Sequence, residues 1–480
     1  MTQKEIEEII VPILSGMKFF TAENDATGVY VQYKNAYSQV RVSSVDDGEF
    51  LAYVYDSFCE RADVLIPPPL EGYIKYFERY AIAHRKESSV EINRRITGGL
   101  RSKVGYFLAD DDWKTVIVRP SGWQVGVSKR VQFLRTPSDL PQCVPVGGGN
   151  LLKLLRPYIN LDDQNYLLFV INLVQSFSKT SAHFAIILSS DKGTGKSTLT
   201  KLFRALVDPS KADVNPVSKS DDELKIMLAN NYLLCIDNVN RGLSENQSNI
   251  LCSAVTGAVE ARRKLYTTSE QVLLSLRNIV VVNGIHAVPR KSDLAQRSLL
   301  FELQEIQNTS RRGDADFWDS FNADKPRILG SIFDTLVLAM KILPTLSFSK
   351  RHRMADAYEE MVAIAEALGI SQTKFDSLLD NNNNRMQALR ADDPFVDAVK
   401  AYMQDKKEVH DSVSTVYAAI RENMVGSKAC FPLSPSTFSR RMNDERESLW
   451  AAGLEFVITD GVNANQITIV NKNLRRKKSK

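Results

Sequence analysis

The chain of 480 residues holds few cysteines, and its five (Cys59, Cys143, Cys235, Cys252 and Cys430) lie far apart. It contains no Cys-x-x-Cys pair and no paired histidines. A zinc centre or a disulfide framework is therefore not expected, and a reducing cytosol suits the composition. Long apolar runs are missing too: none is extended enough to span a bilayer. The opening residues, Met1-Thr-Gln-Lys-Glu-Ile-Glu-Glu, are acidic with helical spacing and lack the cationic-then-apolar order of a secretory signal. A cytoplasmic protein with no membrane partner is expected. An excess of one charge is also lacking. The net charge of +4 is too small to argue for nucleic acid binding by itself. Basic residues gather instead at Leu474-Arg-Arg-Lys-Lys-Ser-Lys480, a tail suited to phosphates or simply to solubility.

What remains is an ordinary soluble composition, 44% hydrophobic and 25% charged, in a chain long enough for two to four domains. Its organising stretch is Phe184-Ala-Ile-Ile-Leu-Ser-Ser190-Asp191-Lys192-Gly193-Thr194-Gly195-Lys196-Ser197-Thr198-Leu-Thr200. A β-branched apolar run feeds a glycine-bearing loop that ends in Gly-Lys-Ser and opens into a helical pattern. This order suits a triphosphate: a buried strand anchors the loop, and glycines let backbone N–H groups close on phosphate. Lys196 supplies a point charge, Ser197 reaches Mg²⁺, and the helix N-terminus faces the anion. Residues 190–198 are thus the expected ATP-binding loop. Ser190 replaces the glycine that usually opens the pattern.

Two further apolar strands end in polar residues. Tyr232-Leu-Leu-Cys-Ile-Asp237-Asn238 places Asp237 at a carboxyl end, where ligands of parallel sheets collect, so Asp237 is expected to share Mg²⁺ with Ser197. Asn278-Ile-Val-Val-Val-Asn283 places Asn283 to orient water or touch the γ-phosphate. Between them, Ala261 to Leu276 reads as a β-hairpin with Arg262, Arg263 and Lys264 on its first arm and Glu270 near its tip. Whether that hairpin holds DNA or a neighbouring subunit stays open.

The flanking regions read more coarsely. Residues 1–148 form an α+β domain, with strands at 28–33 and 39–43, a helix over 70–84, and a hairpin of 114–119 with 123–127. Asp110-Asp-Asp112 reads as a solvated turn rather than a primase metal pair. Breakers at 142–149 mark a linker, and 149–182 a helical collar. The nucleotide-binding core with its helical lid spans 183–348, followed by a helical segment and linker over 349–390, in which Asp380-Asn-Asn-Asn-Asn-Arg385 is the polar break. Three helices and a hairpin over 391–471 predict a winged helix. Its third helix starts at the serine cap Ser434 with a proline in the first turn, and presents Ser436, Ser439, Arg440 and Arg441 to a DNA groove. Residues 472–480 are the basic tail.

The phosphate loop, Asp237-Asn238-Val-Asn, Arg262-Arg-Lys-Leu-Tyr266, Asn283-Gly-Ile and Asp293-Leu-Ala-Gln-Arg297 occur together in this order. The set resembles the AAA+ ATPases of phages and integrated mobile elements. Those are relatives of superfamily III and MCM-type replicative helicases, among them the Rep-type self-loading helicases of staphylococcal islands. The likeness covers roughly residues 100–385 and is most specific over 185–300. It implies a multidomain α/β protein: a P-loop AAA+ core with an α+β N-terminal domain, helical collar and C-terminal winged helix. It also implies ATP and Mg²⁺ as cofactors, DNA as partner both single-stranded and duplex, and a homo-oligomer that is expected to be a hexamer; whether a separate primase or initiator serves it stays open. Asn283 matches sensor 1 and Arg297 the arginine finger that serves the adjacent subunit's nucleotide. Asn238 departs from the family, where many members carry a glutamate that polarises water. An amide is no base, although it can orient water. The function implied is a 3′→5′ DNA helicase of a phage or mobile element. An ATP-switched initiator or loader is the alternative, and a small-molecule P-loop kinase is disfavoured by the finger and winged-helix patterns.

Overall fold

A buried parallel sheet positions the rest of the molecule. The computed structural model describes residues 3–22, 25–34, 40–45, 47–64, 74–87, 92–127, 132–190, 193–218, 220–239, 242–263, 271–284, 287–289, 291–305, 313–348, 352–391, 394–422, 431–461 and 465–475. The first elements are α1 (Gln3–Ser15), β1 (Lys18–Ala22), β2 (Asp25–Lys34), β3 (Val40–Ser44), α2 (Gly48–Ala62), α3 (Ile74–His84) and β4 (Lys86–Glu87). Their sheet has the order β3-β2-β1-β4, and Phe50, Val54 and Phe58 of α2 fill its core with Phe77 of α3.

Next come β5 (Ile92–Asn93), β6 (Ile96–Gly98), β7 (Val104–Phe107), β8 (Lys114–Arg119), β9 (Gly122–Val127) and β10 (Gln132–Phe133). Strands β6 to β9 form an antiparallel meander, and its inner face belongs to the large central core rather than to the N-terminal unit. Tyr106 lies 5.2 Å from the Phe177 ring and 5.7 Å from Phe333. Fully buried Arg95 donates to Asp208 (Nε to Oδ1, 3.0 Å) and to the carbonyl of Pro209. Asp110 to Asp112 sit in a turn, where the Asp110 carboxylate accepts from the Lys114 backbone and Asp111 pairs with Arg135. The breaker-rich run at 142–149, expected to be a linker, is an extended strap pinned at both ends. The Gln142 amide donates to Tyr106 Oη and to the Leu206 carbonyl, while Val146 N and Gly148 N donate to Pro326 O and Asp334 Oδ2.

The central body continues with α4 (Leu151–Leu155), α5 (Asp163–Gln175), β11 (Ala185–Ser189), α6 (Lys196–Val207), α7 (Asp221–Asn230), β12 (Leu233–Ile236) and α8 (Glu245–Thr256). It goes on through the antiparallel pair β13 (Val259–Arg263) and β14 (Gln271–Ser275), then β15 (Ile279–Asn283), α9 (Ser292–Ala295), β16 (Ser298–Glu302), α10 (Asp314–Ile342), α11 (Ala355–Ala367) and α12 (Gln372–Ala391). The sheet order is β12-β15-β11-β16, all parallel. Helices cover both faces, so β11, β12 and β15 are buried at every residue and read as uninterrupted apolar runs. The segment from α10 through its terminal turn (Asp314–Thr345) is long and apolar enough to cross a membrane, yet 61% of its apolar window is buried within the protein. It packs Ile328, Ile332, Phe333 and Leu336 into the central core.

The polar run Asp380 to Arg385, expected to be a linker or cap, is instead the middle of α12. Asn382 explains this. Its amide is buried against the outer edge of β16, where Oδ1 accepts from Leu300 N (3.0 Å) and Nδ2 donates to Leu300 O (2.6 Å). One side chain thus satisfies the backbone donor and acceptor that an edge strand would otherwise bury unpaired. Substituting leucine for Asn382 strands both groups. It is expected to destabilise the fold by about 2–4 kcal/mol, seen as a lower denaturant midpoint at unchanged slope.

The C-terminal module comprises α13 (Pro394–Met403), β17 (Glu408–Ser412), α14 (Val413–Glu422), α15 (Pro435–Asp444), α16 (Arg446–Ala451), β18 (Leu454–Thr459), β19 (Gln466–Asn471) and α17 (Lys472–Arg475). Its antiparallel sheet runs β17-β19-β18, and its core is separate, centred on Phe395, Val416, Phe438 and Ile467. Ser434 caps α15 in a capping box with Thr437, and Pro435 fills the first turn.

Candidate active site

The loop between β11 and α6 has the backbone its glycines permit. Gly193 and Gly195 take φ of +80° and +90°, a left-handed region costly for residues with a Cβ. Gly195 caps α6, which begins at Lys196, so the helix N-terminus opens onto the loop. Lys196 Nζ donates to the Ser190 carbonyl at 2.7 Å, folding the amine over the loop, and Ser190 Oγ lies 2.6 Å from Thr194 Oγ1. Ser190 therefore ties the loop across its base, a contact that glycine at this position lacks. Thr198 faces the adjoining cleft. Asp191 and Lys192, also expected in the loop, lie outside the described residues.

Asp237 stands just beyond β12, and Ser197 Oγ donates to its Oδ2 at 3.2 Å. The two residues expected to share a cation are thus neighbours. A hydroxyl beside a carboxylate is the hard oxygen pair that Mg²⁺ prefers, so the donor set fits that ion. Asn283 ends β15 next door but is 1% exposed, and its amide is engaged on both sides. Its Oδ1 accepts from Asn238 N at 3.2 Å, and its Nδ2 donates to Thr200 Oγ1 at 3.0 Å. Asn238 itself is exposed, with φ of +61°.

A cleft of about 840 Å³ adjoins the loop, within the range of roughly 300–1,000 Å³ usual for ligand sites. Its apolar wall is Tyr158, Leu161, Leu303 and Phe317, and Asn160 and Gln304 supply polar edges. The Asn160 amide donates to the Gln304 carbonyl at 2.6 Å, and Tyr158 Oη donates to Asp324 at 2.7 Å, so this wall is braced from behind. The arrangement can hold a flat, mostly apolar group beside the loop. Sequence reading missed these residues because they come from three distant segments without a motif. Only Leu303 and Gln304 carried a signal, since they follow the carboxyl end of β16.

Residues 150–384 match the family model of the actinomycete integrative conjugative element replication protein. The match supports a replication protein of a mobile element. No curated protein matches the sequence. Among solved structures, the A-form apo structure of the NrS-1 C-terminal region is 11% identical, with 96% of this chain and 98% of that one covered, at a TM-score of 0.41. An apo structure of the same region is also 11% identical, covering 98% of this chain and all of that one at 0.40.

Arg297 sits far from this site in its own chain. Strands β11 and β16 are parallel, and Arg297 O accepts from Ala185 N at the start of both. The glycine-bearing loop leaves the opposite end of β11, roughly 15 Å away at about 3.3 Å per residue. Arg297 forms an ion pair with Asp293, which also pairs with Arg353. Hydrogen bonds from Arg297 and Cys252 hold the Asp293 carboxyl down at about 2. Burial pushes the Cys252 thiol up to about 11, so it stays protonated and donates to Asp293 at 2.8 Å while accepting from Arg297 at 3.0 Å.

The expected nucleic-acid residues fare unequally. Arg262 and Arg263 lie on β13, paired with Val272 and Gln271 of β14 as the hairpin reading required, whereas Lys264 falls outside the described residues. Arg440 is exposed on α15, where with Thr437 and Asp444 it faces Leu243 to Ser248 and Lys291 across a cleft of about 470 Å³. Arg441 is a correction. It is buried, pairs with Glu445 at 3.3 Å and lies over the Phe395 ring, so it braces the module instead of presenting itself to a groove. Helical spacing decides this: Arg441 shares the inward face with Phe438 and Glu445.

Proposed function

We propose that the protein is an ATP-driven motor on DNA, a hexameric AAA+ helicase that replicates a phage or mobile element by moving 3′→5′ on a single strand. The observation that carries this reading is the Ser197–Asp237 contact of 3.2 Å beside a loop with two left-handed glycines, all at the carboxyl ends of parallel strands. Lys196 and the loop N–H groups would bind the β- and γ-phosphates, and the Tyr158–Phe317 cleft would take the base. Ser197 and Asp237 would hold Mg²⁺, which when bound neutralises phosphate charge. Asn238, exposed and lacking a carboxylate, would orient the attacking water. Arg297 would complete a neighbour's site, since its own lies at the far end of β11.

A winged-helix reading of the C-terminal module is supported by Ser436 and Arg440 on the exposed face of α15, and the basic residues of 472–480 would add phosphate contacts. One observation favours the second reading, an initiator or loader switched by ATP: an amide at position 238 is no general base. The test is ATP hydrolysis with and without single-stranded DNA, beside displacement of a labelled strand from a fork. The motor reading expects DNA to stimulate hydrolysis and the strand to be released. Hydrolysis without displacement overturns it in favour of the loader.

A further inference from the structure

Asn238 is one of four non-glycine residues with positive φ among the described residues, and it directly follows Asp237. A left-handed backbone is unfavourable for an L-residue, least so for asparagine, and persists where its surroundings impose it. Here two bonds from β15 impose it: Asn238 N donates to Asn283 Oδ1 at 3.2 Å, and Val239 N donates to Asn283 O at 3.0 Å. The next residue adds contact from the same side, for a Cβ at Gly284 would stand 2.5 Å from the Val239 carbonyl oxygen.

An asparagine amide turned end for end would offer its NH₂ to the Asn238 N–H and lose the bond. What prevents this turn is Thr200, fully buried on α6. Its hydroxyl donates its one hydrogen to Lys196 O at 3.0 Å, so only a lone pair is left to face Asn283. That lone pair accepts Nδ2 at 3.0 Å and leaves Oδ1 directed at Asn238. A chain of three hydrogen bonds therefore runs from the carbonyl of the phosphate-loop lysine, through Thr200 and Asn283, to the backbone of Asn238.

We propose that Thr200 is a positioning residue that couples the start of α6 to the turn at Asn238, so that the phosphate loop and the water-side residue move together. This rests on the nucleotide reading above. It also accounts for the departure at 238: the turn demands a left-handed residue, which asparagine adopts far more readily than glutamate. Asn238→Glu is accordingly expected to slow hydrolysis rather than raise it.

The experiment compares full-length wild type with Thr200→Val, Thr200→Ser and Asn238→Glu in steady-state ATP hydrolysis, with melting temperature followed with and without MgATP. Valine keeps the shape and removes the hydroxyl. It is expected to lower kcat by about ten- to a hundredfold while KM stays within about twofold, since misplacement harms the reaction more than binding. Serine, which keeps the hydroxyl, is expected to restore most of kcat. A Thr200→Val protein with wild-type kcat overturns the proposal, as does a KM that rises as much as kcat falls, or a failure of serine to rescue. An Asn238→Glu enzyme faster than wild type overturns it too. A wild-type protein that neither hydrolyses ATP nor gains stability from MgATP overturns the nucleotide reading itself, a result distinct from each of these.

Discussion

Replacing Lys196 by alanine is expected to cut ATP hydrolysis by about 10³-fold, to the background of the assay, while leaving the fold intact. The size follows from where the charge sits. Lys196 begins α6, and its amine folds back over the loop to the Ser190 carbonyl at 2.7 Å. A triphosphate binding there would exchange the carbonyl for its own oxygens, and charge building on the transferred phosphoryl group would meet that cation. The fold is expected to survive because Lys196 is half-exposed and α6 is anchored by Leu199, Leu202 and Phe203, all buried. Melting without nucleotide should stay near wild type, and the gain from MgATP should vanish. If the alanine protein keeps a tenth of the wild-type rate, Lys196 is not a phosphate ligand and the loop is no triphosphate site.

The reach of the sequence follows from what each element buries. Strands β11, β12 and β15 are sealed on both faces, so Ile186 to Leu188, Leu233 to Ile236 and Ile279 to Val282 are legible as apolar runs, and their polar ends mark the site. Side-chain commitments are another matter. Asn283 stands where its run predicts, but its amide is held by Thr200 and Asn238, and neither contact follows from spacing. Asn382 misleads in the opposite direction: four asparagines in a row read as a break, whereas one of them pairs the edge of β16 and keeps the helix. Residues 142–149 read as a linker on composition, yet the peptide groups of Val146 and Gly148 are bonded to α10.

Arg297→Ala is expected to lose about 10³-fold in hydrolysis while still binding MgATP, and to regain activity when mixed with Lys196→Ala protein. On the proposed reading a second chain must supply the guanidinium. Arg297 opens β16 beside the start of β11, and the loop lies past the other end of the same strand. No side chain crosses the roughly 15 Å between them along a rigid sheet. In the mixture, a site works when an Arg297→Ala subunit supplies the loop and a Lys196→Ala neighbour supplies the guanidinium. Random assembly into a closed ring leaves about a quarter of interfaces intact, which sets the recovery to expect. Asp293 enters here as the resting partner of Arg297, and its depressed carboxyl keeps that ion pair at neutral pH. The pair's contribution is fully present above the ordinary aspartate pKa of about 4 and fades only as pH falls through about 2. The guanidinium must leave this carboxylate to reach a neighbour's phosphates, so Asp293→Ala should not mimic Arg297→Ala. Loss in the Arg297→Ala protein without recovery in the mixture would instead make Arg297 a brace for Asp293 and Cys252 within one chain, and hydrolysis would then need no ring.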